Sequence, residues 1–237
     1  MNSKDVITNK YNLLLGDCLE RMKEIPDRSV DLCVSDIPYK LTGGGKGDGV
    51  KSKRPKGILD QNTQLMEVPK FKEWLPELYR VMKNGTHIYL MCNFLNLNQL
   101  MNDVQEVGFK MINLLVWEKN NCTPSQYYMK NCEYTLLIRK GGSKYINNIG
   151  ASKTVHKFNN IIGNKVHPTE KPVDLMRFYV ENSSEIGDTV LDMFMGSGST
   201  GVACINTNRK VIMIEKDPHY FEVGSERVKR ALSEKGD

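Results

Sequence analysis

Six cysteines are scattered through the 237 residues, at 18, 33, 92, 122, 132 and 204, and no two form a Cys-x-x-Cys pair. Neither a disulfide framework nor a zinc site is expected from that spacing. Cys33, Cys92 and Cys204 lie in apolar runs, as reduced and buried thiols of a cytoplasmic protein do. Long hydrophobic runs are missing as well. No stretch approaches the roughly 18 apolar residues of a membrane helix, and Met1–Asp5 lacks the apolar centre of a secretory signal. Internal repeats are not evident.

What is present is ordinary for a globular chain: 40% hydrophobic and 26% charged residues, enough for a single core-forming domain over 1–237. The net charge is +5, and its placement matters more than its size. Lys40, Lys46, Lys51, Lys53, Arg54 and Lys56 face a single acid, Asp48, in a segment whose first ten residues hold five glycines. Residues 40–66 are therefore predicted to be a mobile basic loop. A second basic stretch, Arg139 to Lys171, includes Lys144 and Lys153 and holds seven Lys/Arg against Glu170 alone. Two solvated loops would account for both stretches, but a polyanionic partner such as DNA would use them as phosphate-contacting arms.

Hydrophobic periodicity predicts strands at 12–15, 30–35, 87–92, 110–117, 132–139, 189–192 and 210–215. Helices are predicted at 18–25, 70–82, 97–107, 172–182, 199–206 and 218–232, with Asn84-Gly85 and Gly108 as C-terminal stops. Strand and helix alternate, which implies an α/β fold with a doubly wound, mostly parallel sheet. Residues 141–165 are polar and without a period, and read as an irregular insert.

The strand at 30–35 runs straight into Asp36-Ile37-Pro38-Tyr39. Asp-x-Pro at a strand end can be plain turn chemistry. The same residues also offer a carboxylate to accept N–H bonds and a flat ring for stacking, which suits a planar substrate with an exocyclic amine. A second segment, Asp192-Met193-Phe194-Met195-Gly196-Ser197-Gly198-Ser199-Thr200-Gly201, stands where a strand turns into a helix. Gly196, Gly198 and Gly201 match Gly-x-Gly-x-x-Gly, and Glu215 closes the next strand about 20 residues on, where a ribose-binding acid belongs. No lysine follows these glycines, which speaks against a phosphate-loop NTPase. The ligand class left open is NAD-like or S-adenosylmethionine-like.

Upstream stands His167-Pro168-Thr169-Glu170-Lys171-Pro172, a hydroxyl and an ammonium at a helix start, suited to an α-carboxylate. Leu15-Gly16-Asp17 ends the first predicted strand, where Asp17 would otherwise simply cap a helix. An NAD enzyme has no use for the Asp36–Tyr39 strand end and places its glycine loop early, whereas here the loop is late.

In this order the motifs resemble those of bacterial or phage DNA amino-methyltransferases of the β arrangement. In that family the DPPY-type motif precedes the FxGxG motif, a circular permutation of the usual order. The resemblance spans nearly the whole chain and is thinnest over 42–66 and 141–165. It implies a single circularly permuted methyltransferase domain using S-adenosylmethionine, with double-stranded DNA as partner, no metal, no membrane association and a plausible homodimer. It makes Asp36, Ile37, Pro38 and Tyr39 catalytic, with Tyr39 stacking on a base turned out of the helix. Glu215 would bind the cofactor ribose, Asp17 would lie at its adenine, and Thr169 with Lys171 would hold its carboxylate. The backbone from Phe194 to Gly198 would curl beneath it, and His167, Asp192, Ser197, Ser199 and Thr200 complete that set. Lys46, Lys51, Lys53, Arg54, Lys56, Lys144 and Lys153 would contact DNA, with 141–165 as target-recognition insert.

Adenine N6 is the expected acceptor, because DPPY-like motifs beginning with aspartate resemble adenine enzymes, whereas cytosine-N4 enzymes more often begin with serine. Ser35 before Asp36 raises a frame ambiguity, but Ser35-Asp36-Ile37-Pro38 breaks the motif's spacing. The chain departs from the family at Ile37, where proline is usual, and a less rigid turn is expected there. A nicotinamide-dependent oxidoreductase and a non-catalytic DNA-binding subunit are the alternatives from other classes.

Overall fold

The computed structural model describes residues 2, 4–38, 69–123, 127–142, 144–163 and 170–236. Among these, nine strands form one sheet: β1 (Val6–Ile7), β2 (Tyr11–Leu15), β3 (Val30–Asp36), β4 (Met82–Cys92), β5 (Lys110–Thr123), β6 (Lys130–Lys140), β7 (Val155–Lys157), β8 (Thr189–Asp192) and β9 (Lys210–Glu215). Their order is β1-β2-β9-β8-β3-β4-β6-β5-β7. The central strands β2, β9, β8, β3 and β4 are all parallel, while β6 runs antiparallel to both β4 and β5.

The helices are α1 (Cys18–Met22), α2 (Phe71–Val81), α3 (Phe94–Val107), α4 (Val173–Ser183), α5 (Ser199–Asn206) and α6 (Pro218–Glu234). Strand alternation divides the core between two faces. Leu32 and Val34 join Leu175 and Tyr179 of α4 and Val228 of α6 on one side. Cys33 and Ile37 join Trp74 of α2 and Leu100 of α3 on the other. The predicted doubly wound fold is what forms, and β8, α5 and β9 have the bounds expected from the sequence.

One boundary differs. Asn84-Gly85 does not stop the helix: α2 ends at Val81, and Met82 is already extended at φ −71° and ψ 138°. Gly85, at φ +78°, lies inside β4, whose Thr86 to Cys92 pair with β6. A turn signal in the sequence has become an irregularity early in a strand.

The insert also acquires order. Its β7 adds to the free edge of β5 in parallel, pairing Trp117 with His156. Asn147 donates its side-chain amide to the carbonyls of Glu181 and Ser184 at the end of α4. The segment around Asn147 therefore packs at the end of the sheet opposite Asp36, while β7, level with Glu133, lies at the same end as Asp36 but at the far edge. The second half of α4 is fixed from within the core. The Tyr179 hydroxyl meets Thr135 at 3.1 Å and His156 at 2.8 Å, and Ser183 meets His87 at 2.9 Å and Tyr89 at 2.7 Å.

Candidate active site

Four of the parallel strands, β2, β9, β8 and β3, carry a candidate site residue at or just beyond the carboxyl end. Leu15 pairs with Glu215, Asp192 with Met213, and Asp36 with Met91, so Asp17, Glu215, Asp192 and Asp36 follow one another along one edge of the sheet. The chain leaves β3 towards β4 and leaves β8 towards β9, in opposite directions. The edge between β3 and β8 is therefore the topological switch point, where open α/β sheets form their ligand crevice.

On the cofactor side, the Glu215 carboxylate accepts the Gly196 N–H at 2.8 Å and the Asp217 N–H at 2.9 Å. Burial raises its pKa, and those two donors partly offset the rise. Each oxygen keeps a lone pair for a further donor such as a ribose hydroxyl. Asp17 caps α1 by accepting the Leu19 N–H at 2.9 Å, and Lys216 stands 3.3 Å from it. Beneath this strand end, Asp5 binds the Leu15 N–H and forms a buried ion pair with Arg21 at 2.6 Å.

The glycines act differently from a simple ligand cradle. Gly198 is left-handed at φ +79°, and a Cβ there would stand 3.0 Å from the Gly224 carbonyl oxygen. A Cβ on Gly201 would stand 2.5 Å from Met213 Cε. These two glycines let α6 and β9 close against the loop, and Gly196 supplies the turn at φ +50°. Asp192 lies beneath the loop, accepting the Ser35 hydroxyl at 2.7 Å and the Phe194 N–H at 3.2 Å, with its pKa raised by burial. Thr200 donates to the Val34 carbonyl, and Phe194 meets Trp74 edge-on at 5.8 Å. Ser197 is buried, and Ser199, in the first turn of α5, has a buried hydroxyl with no partner among the described residues.

On the acceptor side, the Asp36 Oδ2 is 2.5 Å from the Lys171 ammonium, which also stands 3.4 Å from Glu133. Asp36 Oδ1 is buried and has no partner among the described residues. Burial, more than the neighbouring Glu133, pushes the Asp36 carboxyl up to about 6 in spite of Lys171. Ser35 is fully buried and donates its hydroxyl to Asp192, whereas Asp36 stands at the end of the strand beside Lys171. Ile37 donates its N–H to the Met91 carbonyl at 3.2 Å, and its side chain is 1% exposed in the core. The strand end is thus held at Ile37 by a bond that a proline could not make, and residues 39–68 lie outside the described residues.

Sequence reasoning missed Glu133 and Arg227. A carboxylate inside the apolar run of β6 was the available signal for the first. Arg227 gave none, since it lies on the polar face of α6. Its guanidinium donates to the Ser197 carbonyl at 2.7 Å and pairs with Glu170 at 2.9 Å. Glu170 therefore faces the glycine loop while Lys171 faces Asp36, so two adjacent residues join both halves of the cleft. Tyr39, His167, Thr169, Lys46, Lys51, Lys53, Arg54 and Lys56 lie outside the described residues. The structure sets Lys144 beside His87, away from Asp36, and Lys153 on the approach to β7.

The profile of the DNA methylase family matches residues 30–226, from the start of β3 into α6. The chain belongs to the DNA methylase family. This methylase is 27% identical over 240 residues to the type II methyltransferase M2.MboI of Moraxella bovis, covering 92% of this chain and 87% of that one. It is 28% identical to the type II methyltransferase M.HinfI of Haemophilus influenzae, over 95% of this chain and 70% of the relative. Its fold is that of the PvuII cytosine-N4-specific DNA methyltransferase, with a TM-score of 0.73 at 19% identity, covering 94% and 92% of the two chains. The M1.HpyAVI–SAM complex is similar as well, with a TM-score of 0.68 at 24% identity over 92% and 99%. Family membership sets aside the nicotinamide-dependent alternative.

Proposed function

We propose that this methylase transfers a methyl group from S-adenosylmethionine to the exocyclic N6 of adenine in double-stranded DNA. The observation that carries the reading is Asp36 at the switch point of the sheet. One of its oxygens is held by Lys171, and the other is buried without a partner among the described residues. A buried acceptor of this kind costs stability unless a donor reaches it. An amine N–H supplies that donor.

The exocyclic amine of a base is a poor nucleophile, because its lone pair is delocalised into the ring. Asp36 Oδ1 and the backbone carbonyl of Ile37 each accept one N–H, which favours a tetrahedral nitrogen with a usable lone pair. Tyr39 stacks on the base once it has left the helix. Bound S-adenosylmethionine supplies a methyl group already activated by its sulfonium. The task left to this chain is alignment, which Glu215, Asp17 and the glycine loop serve on one side and Asp36 on the other. The residues present fit that cofactor: a carboxylate at the β9 end for hydroxyls, and the orphaned Ser199 hydroxyl beside the loop.

Adenine is favoured by the motif's leading aspartate, now that Ser35 is committed to Asp192. DNA contacts fall to Lys46, Lys51, Lys53, Arg54 and Lys56 in the basic loop and to Lys153 on the sheet edge. Residues 141–165 remain the proposed recognition insert, in which Lys144 stands exposed beside His87 as a further candidate contact. A homodimer belongs to the same reading on the resemblance alone. Methylation-sensitive sequencing of DNA from cells expressing the protein tests it. N6-methyladenine at one short sequence is expected, N4-methylcytosine would replace the acceptor, and no modified base would favour a non-catalytic subunit.

A further inference from the structure

Four charged side chains form a row across β5, β6, the segment just before α4 and β3. Lys119 Nζ is 3.1 Å from Glu133 Oε1, Glu133 Oε2 is 3.4 Å from Lys171 Nζ, and Lys171 Nζ is 2.5 Å from Asp36 Oδ2. The Lys119 and Lys171 side chains are only 8% and 6% exposed, so water screens these contacts weakly. Glu133 shares its strand face with Thr135 and Leu137, the face that packs on α4. A carboxylate there is costly unless paired, and one cation would suffice for that. It has two, and one of them belongs to the acceptor site.

We propose that Glu133 is a positioning residue that shares Lys171 with Asp36 and so sets how strongly the ammonium engages the acceptor carboxylate, with Lys119 anchoring Glu133 from the far side. The proposal rests on Asp36 being the group that takes the amine N–H. Were Lys171 committed to Asp36 alone, its full field would fall on that carboxylate and weaken it as an acceptor. Glu133 draws part of that field away. Its own carboxyl loses by burial, but Lys171 and Lys119 outweigh the loss and hold it below the usual carboxylate value, so it stays an anion. Among the described residues, the other charged or titratable groups facing Asp36 are Asp192 at the end of β8 and Cys92 at the end of β4. Asp192 acts on Asp36 in the same direction as Glu133. The Cys92 thiol, pushed up to about 12 by burial, stays neutral throughout.

The test is the titration of the Asp36 carboxyl by carbon-13 NMR, in protein without added cofactor or DNA, with Asp36→Asn assigning the signal. Glu133→Gln should lower the midpoint by roughly half a pH unit, and Lys119→Gln should raise it by a similar amount, because Glu133 then turns wholly on Lys171. The acid limb of kcat/KM for methyl transfer should move in the same two directions, and Glu133→Asp should restore part of the first shift. A purely structural Glu133 would alter thermal stability and leave both midpoints in place, which would overturn the proposal. Should Glu133→Gln fail to fold, the upward shift in Lys119→Gln decides alone. Absence of methyl transfer by the wild type would defeat the reading of the reaction, while the titration would still decide the role of Glu133.

Discussion

The Asp36 carboxyl sits where burial opposes its charge, and its value of about 6 lies above the ordinary carboxylate value of about 4. The native state therefore binds the extra proton between those two pH values. The sign follows: Asp36 destabilises the fold above pH 6, and the penalty is relieved as the pH falls towards 4. Asp36→Asn should raise the thermal midpoint at pH 8 by about 2–6 °C, and the gain should shrink at pH 5. Calorimetry at both pH values checks this, and a variant less stable than wild type at pH 8 would show that Lys171 needs Asp36 more than burial opposes it. The place of Asp36 at a strand end was legible in the sequence because an apolar run, a carboxylate and a proline stood together. The compensation at Ile37 was not, because its N–H bond to Met91 joins residues on different strands. Ser35 illustrates the same limit, since its partner Asp192 is 157 residues away.

Among the elements, the glycine loop was placed correctly by sequence for a reason the structure extends. The pattern marks where backbone must come close, but it does not say to what. At Gly198 the neighbour is the backbone of Gly224 in α6, at 3.0–3.1 Å from a would-be Cβ, and φ is +79°. Neither rigid backbone nor a left-handed turn can yield to a methyl group. Gly198→Ala should therefore cost about 1–3 kcal/mol and weaken cofactor binding through the displaced loop. Chemical denaturation and cofactor titration together test it, and an unchanged denaturation midpoint would contradict the packing described. Gly201 faces softer neighbours, the Met213 side-chain end at 2.5 Å and the Val228 methyl at 2.7 Å, so those can shift. The Asn84-Gly85 signal missed the helix end because the chain is already extended at Met82, and the left-handed Gly85 instead stands just before the β4 residues that pair with β6. The β7 strand was invisible because three residues carry no period, and its order comes from the free edge of β5.

For the whole molecule, the motif order in the chain and the spatial order of the sheet are two views of one arrangement. The acceptor motif comes first in sequence and the glycine loop late, yet β3 and β8 are neighbours, and Ser35 pins one to the other. The alternation of elements made the doubly wound class readable. It could not reveal that Glu170 and Lys171 point to opposite halves of the cleft, since that depends on Arg227 and Asp36 arriving from distant segments. It also could not tell that Lys144 stands beside His87 and Lys153 beside His156, because charge along the chain does not tell which strand a residue reaches. The central claim is that Asp36, at the switch point, receives the exocyclic amine of a DNA base. Its most direct test is nucleoside analysis of DNA incubated with methyl-labelled S-adenosylmethionine and either the wild type or Asp36→Ala. Labelled N6-methyladenine with the wild type, and none with a variant that still binds the cofactor, is the result predicted here. Undiminished label with Asp36→Ala would contradict it.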